Sequence, residues 1–142
     1  MWSPDRRGIA TSARKRLIWT LDRRMRHLGA MTKFLISFPS EAMMLTAEEF
    51  VQAGIESRAV IEEAKTAGVY VFGGGIEEQV DPVLVFGDGS ISSQIYPGSR
   101  LNGGFTVLEL PTREAAVEWA QKIAVACRCA QEVREFMYDP AS

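Results

Sequence analysis

Few side chains in this 142-residue sequence combine the types and spacing that chemistry needs. It has one histidine, His27, so neither an imidazole dyad nor a Ser-His-Asp unit can be assembled. Cys127 and Cys129 are two residues apart, which on a helix sets them about 200° apart and aims them at different surroundings. Two thiolates without a second pair are too few for a zinc site. Cys127 reads as core packing and Cys129 as a free thiol, which fits a reducing, cytoplasmic compartment. The run Gly73-Gly74-Gly75 follows an apolar stretch, but no Lys-Ser/Thr comes after it and no helix begins there. It therefore reads as a strand exit rather than a phosphate loop. These residues imply no metal and no cofactor.

Charges embedded in apolar strands are more informative, because they are costly unless paired. Glu109 sits in FTVLEL, and Glu132, Arg134 and Glu135 sit in EVREF. Glu132 and Arg134 are two apart and share one strand face. With Ser37, Tyr70 or Thr106 from neighbouring strands, they could line a polar pocket that holds a small acidic or carbonyl ligand on Arg134. The competing reading is an edge-strand or interface ion pair, and strand register decides between them. Arg100, between Gly98 and Gly103, reads as a solvated loop charge, with a ligand role as the alternative.

The elements that would position these residues follow from periodicity. Lys33–Phe38 is a first strand, ended by Pro39-Ser40. Thr46 caps a helix, with Glu49 three residues on as in a capping box. Phe50, Ala53, Ser57, Val60, Ile61 and Ala64 share one helical face, and Gln52, Glu56 and Glu63 share the other. Gly68 ends it. Val69–Phe72 is a second strand. A hairpin follows, Val83–Phe86 and Ile91–Tyr96, turning at Gly87-Asp88-Gly89. Phe105–Leu110 is a further strand. Thr112 caps a second helix with Ala116, Trp119, Ala120, Ile123 and Cys127 on one face, and Glu132–Tyr138 is the last strand. Without the hairpin the order is βαββαβ. This predicts an α+β, ferredoxin-like fold: an antiparallel sheet with an inserted β-hairpin and helices on one face. The strands are apolar on both sides, as at Leu35-Ile36 and Val71-Phe72. The uncovered face therefore predicts a homodimer, sheet against sheet.

Composition bounds the rest. The chain is 46% hydrophobic and 24% charged, which is one globular domain's worth and excludes disorder. No run approaches the ~20 apolar residues of a membrane-spanning helix. Residues 1–30 hold eight Lys/Arg and two Asp, net +6, and residues 31–142 hold eight Lys/Arg and sixteen Asp/Glu, net −8. The acidic domain is a poor partner for nucleic acid. In the basic piece Leu17, Leu21, Met25 and Leu28 recur at helical spacing from Thr11 or Ser12. That piece reads as a non-native extension before a start at Met31, as an appended helix, or as a targeting, membrane or nucleic-acid arm.

Taken together, LTAEEF (45–50), AGVYVFGGGI (67–76), the Asp88-Gly89 hairpin, LNGGFTVLEL (101–110), TREAAVEWA (112–120) and QEVREF (131–136) resemble the YCII-related family and its DGPF branch. The resemblance spans about residues 31–140 and implies a ferredoxin-like domain that pairs as a dimeric α+β barrel. The branch's Asp-Gly-Pro-Phe segment is missing, and Tyr96-Pro97-Gly98-Ser99-Arg100 stands in its place. Some relatives carry a His in the first helix and an Asp beyond the second. Here residues 31–142 have no His and 122–130 no carboxylate, so neither role transfers. Some relatives are encoded beside sigma factors of the extracytoplasmic type, which leaves a regulatory role open. The expectation is a small dimeric protein that binds a small organic ligand in the barrel or dimer cleft. The alternative is a cofactor-free isomerase, lyase or monooxygenase-like enzyme using Glu109, Glu132 or Tyr70 for acid–base work.

Overall fold

The computed structural model describes residues 31–142. His27 and the amphipathic segment expected after Thr11 or Ser12 lie outside the described residues. The domain is α+β, consistent with the ferredoxin-like expectation. Strands β1 (Thr32–Phe38), β2 (Tyr70–Gly75), β5 (Gly104–Leu110) and β6 (Glu132–Glu135) form one sheet in the order β2-β5-β1-β6, every neighbouring pair antiparallel. Helices α1 (Ala47–Thr66) and α2 (Arg113–Cys127) connect β1 to β2 and β5 to β6. Strands β3 (Leu84–Val85) and β4 (Ile91–Ser92) form a separate two-stranded sheet.

Both helices begin on the residues that the sequence marks. Thr46 Oγ1 accepts the Glu49 N–H at 3.2 Å, and its hydroxyl donates to the Glu49 carboxylate at 3.0 Å. Thr112 Oγ1 accepts the Ala115 N–H at 3.1 Å. Helix α1 ends on Gly68 at φ +74°, where the Gly68 and Val69 N–H groups donate to the carbonyls of Lys65 and Ala64, a Schellman closure. Helix α2 ends instead on Arg128, held at φ +58° while its guanidinium donates to the Ala126 carbonyl at 3.0 Å and pairs with Glu56 at 2.8 Å. Lys122 pairs with Glu63. Glu56 and Glu63, read from sequence onto the helix face away from the apolar one, pair with Arg128 and Lys122 and so fasten α1 to the end of α2.

Register fixes the two faces of the sheet. Phe34 lies opposite Leu108, and Thr32 opposite Leu110. Phe34, Ile36, Leu108 and Leu110 are buried against Ala64, Ala116, Ala120, Ile123 and Cys127 of the helices. Phe34, Ile36, Leu108 and Leu110 are the largest fully buried side chains, each contributing about 1.5–3 kcal/mol on burial. The core therefore occupies one face, as expected. Alternation sends Lys33, Leu35, Ser37, Phe105, Val107, Glu109, Phe72, Glu132 and Arg134 to the other.

Three local expectations change. The strand does not stop at Gly73: β2 runs through Gly75, pairing Gly73, Gly74 and Gly75 with Thr106, Phe105 and Gly104. None of the three has positive φ, so free backbone angles are not what the glycines supply. The hairpin strands are two residues each, although the turn is as read: Gly89 lies at φ +88° and Asp88 Oδ1 accepts from Ser90 N and Oγ at 2.9 and 2.6 Å. The last strand ends at Glu135.

Candidate functional site

Helix α1 does not close down on the β2–β5 end of the sheet. Between them runs a groove of about 790 Å³, within the ~300–1,000 Å³ of small-molecule sites. Its floor is Gly73, Gly75, Gly104 and Thr106, and its roof carries Gly54, Ser57, Arg58, Ile61 and Lys65 of α1. Gly54 and Ser57 are the small residues of the roof, and a Cβ on Gly54 would meet no heavy atom within 4 Å.

The glycines make room for specific rings. A Cβ on Gly73 would lie 3.2 Å from the Tyr70 hydroxyl, and one on Gly104 would lie 2.5 Å from the Phe38 ring. Tyr70 and Phe38 therefore lie over bare backbone at either end of the floor. Phe50, expected in the core, is 62% exposed at the groove's edge. Ile123 and Cys127 line its depth. Burial pushes the Cys127 thiol up to about 11, with the neighbouring Cys129 adding to the effect, so it sits there as a neutral, weakly reactive group. Cys129 lies beyond the helix and is raised too, also by burial.

The polar atoms of the groove are few. Ser57 donates to the Gly54 carbonyl at 3.1 Å. Lys65 Nζ pairs with Glu62 at 3.1 Å and stands 5.3 Å from the centre of the Tyr70 ring. Thr106 is 9% exposed, and neither its hydroxyl nor the Tyr70 phenol hydrogen-bonds another described residue. Arg58 forms no ion pair or hydrogen bond among the described residues.

The six residues picked from sequence divide between the two faces. Tyr70 and Thr106 line the groove. Ser37, Glu109, Glu132 and Arg134 belong to the opposite face of the sheet, so a single pocket built from all six does not form. There Glu132 and Arg134 pair with each other at 3.0 Å on the edge strand β6, both more than half exposed. Ser37 is buried beside them in register with Glu132. Glu109 stands opposite Lys33 and shares with it a hollow of only about 80 Å³. Arg100 pairs with Glu41 at 3.5 Å, both well exposed.

Sequence reasoning missed Gly54 and Arg58. The available signal was Gly54 itself, an unforced glycine inside a helix one turn before Ser57 and opposite a glycine-rich strand. Among the described residues, no group of three or more His, Cys, Asp or Glu could hold a metal ion, and no helix is long and apolar enough to cross a membrane. No family model matches the chain, and no curated protein matches it.

Proposed function

We propose that this chain is a small ligand-binding protein whose ligand occupies the groove between α1 and the β2–β5 end of the sheet. One observation carries the reading: a groove of about 790 Å³ lies between α1 and the β2–β5 end of the sheet, and a Cβ added at Gly54 would enter it without meeting a heavy atom within 4 Å. An apolar-lined groove open to water leaves its lining short of packing partners. Such a groove is therefore best understood as space for a guest. Of the residues proposed for acid–base chemistry, only Tyr70 reaches this groove, which favours binding over turnover. Glu62, the groove's carboxylate, is already neutralised by Lys65.

The opposite face supports the second half of the proposal, a homodimer. Leu35, Val107 and Phe105 are half-buried there without a helix over them, flanked by Phe72 at 63% and Phe136 at 44% exposure. The charges Lys33, Glu109, Glu132 and Arg134 stand around this centre. An apolar patch with a charged border is the make-up of a protein–protein interface. Two copies paired across it would form a dimeric α+β barrel from ferredoxin-like domains, the arrangement that the resemblance to the YCII-related family implies.

The test is a thermal-shift screen of small metabolites on the full chain, paired with the Gly54→Leu variant. A ligand of the native state raises the melting temperature in proportion to its occupancy. The account expects hits on the wild-type chain that disappear in Gly54→Leu. Hits that persist unchanged in the variant would remove the groove from the function.

A further inference from the structure

The groove's charges identify the class of its ligand, an inference that rests on the ligand-binding reading above. Residues 31–142 carry eight cations against sixteen carboxylates, so partners for cations are plentiful. Six of the eight, Lys65, Arg100, Arg113, Lys122, Arg128 and Arg134, stand within ion-pair distance of a carboxylate. Among the described residues Arg58 has no such partner, although it lies on a helix rich in glutamate. It lines the groove instead, one helical turn from both Gly54 and Ile61.

We infer that the groove takes an organic monocarboxylate with an apolar body, its carboxylate held by Arg58. The guanidinium presents a planar fork that matches a carboxylate with two parallel hydrogen bonds. With Lys65 and Glu62 cancelling each other, the groove carries one net positive charge. That charge matches a monoanion rather than a phosphoryl group carrying two. The lining supplies the second criterion. The Phe38 ring lies over Gly104 and Tyr70 lies beside Gly73, and with Phe50, Ile61 and Ile123 they give the groove an apolar lining. An apolar body packs against that lining. The Thr106 hydroxyl and the Tyr70 phenol, which hydrogen-bond no other described residue, are available to a hydroxyl or carbonyl on the body.

The test uses the full chain and three probes of one shape: 2-naphthoate, 2-naphthamide and 2-naphthylmethylammonium, each titrated calorimetrically. Wild type is expected to bind the carboxylate about tenfold or more tighter than the amide, the low end of what a hydrogen bond to a charged group carries, and the ammonium most weakly. Arg58→Gln, a change at an exposed helical position, is expected to bring carboxylate and amide level, while Lys65→Gln leaves the preference standing. Equal binding of carboxylate and amide by wild type, or a preference that survives Arg58→Gln, overturns the carboxylate assignment but leaves a ligand groove. Binding of none of the three overturns both.

Discussion

Replacing Gly54 by leucine exchanges the proposed ligand for a side chain, and the exchange has a predictable size. A Cβ built on Gly54 meets no heavy atom within 4 Å, so the new side chain enters open groove without displacing anything. Helix propensity alone favours leucine over glycine by about 0.7 kcal/mol. Half-burying the leucine under α1 adds about 1 kcal/mol. Fixing its rotamer takes back about 0.5 kcal/mol. The net gain is about 1 kcal/mol, or about 4 °C in Tm for a domain of this size. The assay is thermal unfolding of wild type and variant, without and with a saturating groove ligand. The variant should melt higher than wild type when alone and gain nothing from the ligand, so that the order of the two melting temperatures reverses when ligand is present. A variant that melts lower than wild type would show that the space beside Gly54 is not open. A variant that still responds fully to ligand would show that the ligand binds elsewhere.

Other consequences follow from the same contacts. Leu35→Arg and Val107→Glu, both on the face away from the core, should each convert an assembly of twice 15.7 kDa to a folded monomer in sedimentation. A wild-type chain that sediments as a monomer at micromolar concentration would remove the dimer. Gly103→Ala should destabilise by about 3 kcal/mol or more in denaturant unfolding, because its φ is +78° and the added Cβ would fall 2.1 Å from the Phe38 carbonyl oxygen. Cys127 keeps its proton in the native state up to about pH 11, whereas an unfolded thiol loses it near 9.0. Its contribution to stability is therefore whole below pH 9 and declines as the pH climbs toward 11, and chemical denaturation of Cys127→Ala should lack that decline. A thiol reagent at pH 8 should label Cys129 well before Cys127, which is buried.

Much of the fold was legible because local signals and burial agree. Thr46, Gly68 and Thr112 mark helix ends by hydrogen-bonding chemistry that acts within four residues, and the structure uses each of them as read. The site was less legible because it depends on parity. A single residue's shift in register moves a side chain to the other face, and a register shift at Tyr70/Phe72 in β2 is not encoded in any local pattern. Tyr70 and Arg134 therefore looked like neighbours in sequence and stand on opposite sides of the sheet. The glycine run misled for a related reason. Glycine reads as a chain breaker, yet here it stays in the ladder and gives up its side chains so that aromatic rings and a groove can occupy their place. Phe50 obeys the helical periodicity of the core residues, but no side chain rises from the glycine floor to meet it, and it remains exposed.

Backbone amide shifts measured by NMR on the isotopically labelled full chain, titrated with 2-naphthoate, test the groove most directly. Glycine amides resonate apart from most others, and the groove holds Gly54, Gly73, Gly74, Gly75 and Gly104, five of the chain's 12 glycines. The account predicts that these five and Thr106 move together with saturable curves, while Gly87, Gly89 and Gly98 of the hairpin and its following turn stay still. Shifts confined to Leu35, Val107 and Arg134 on the opposite face, or to the hairpin glycines, would contradict it.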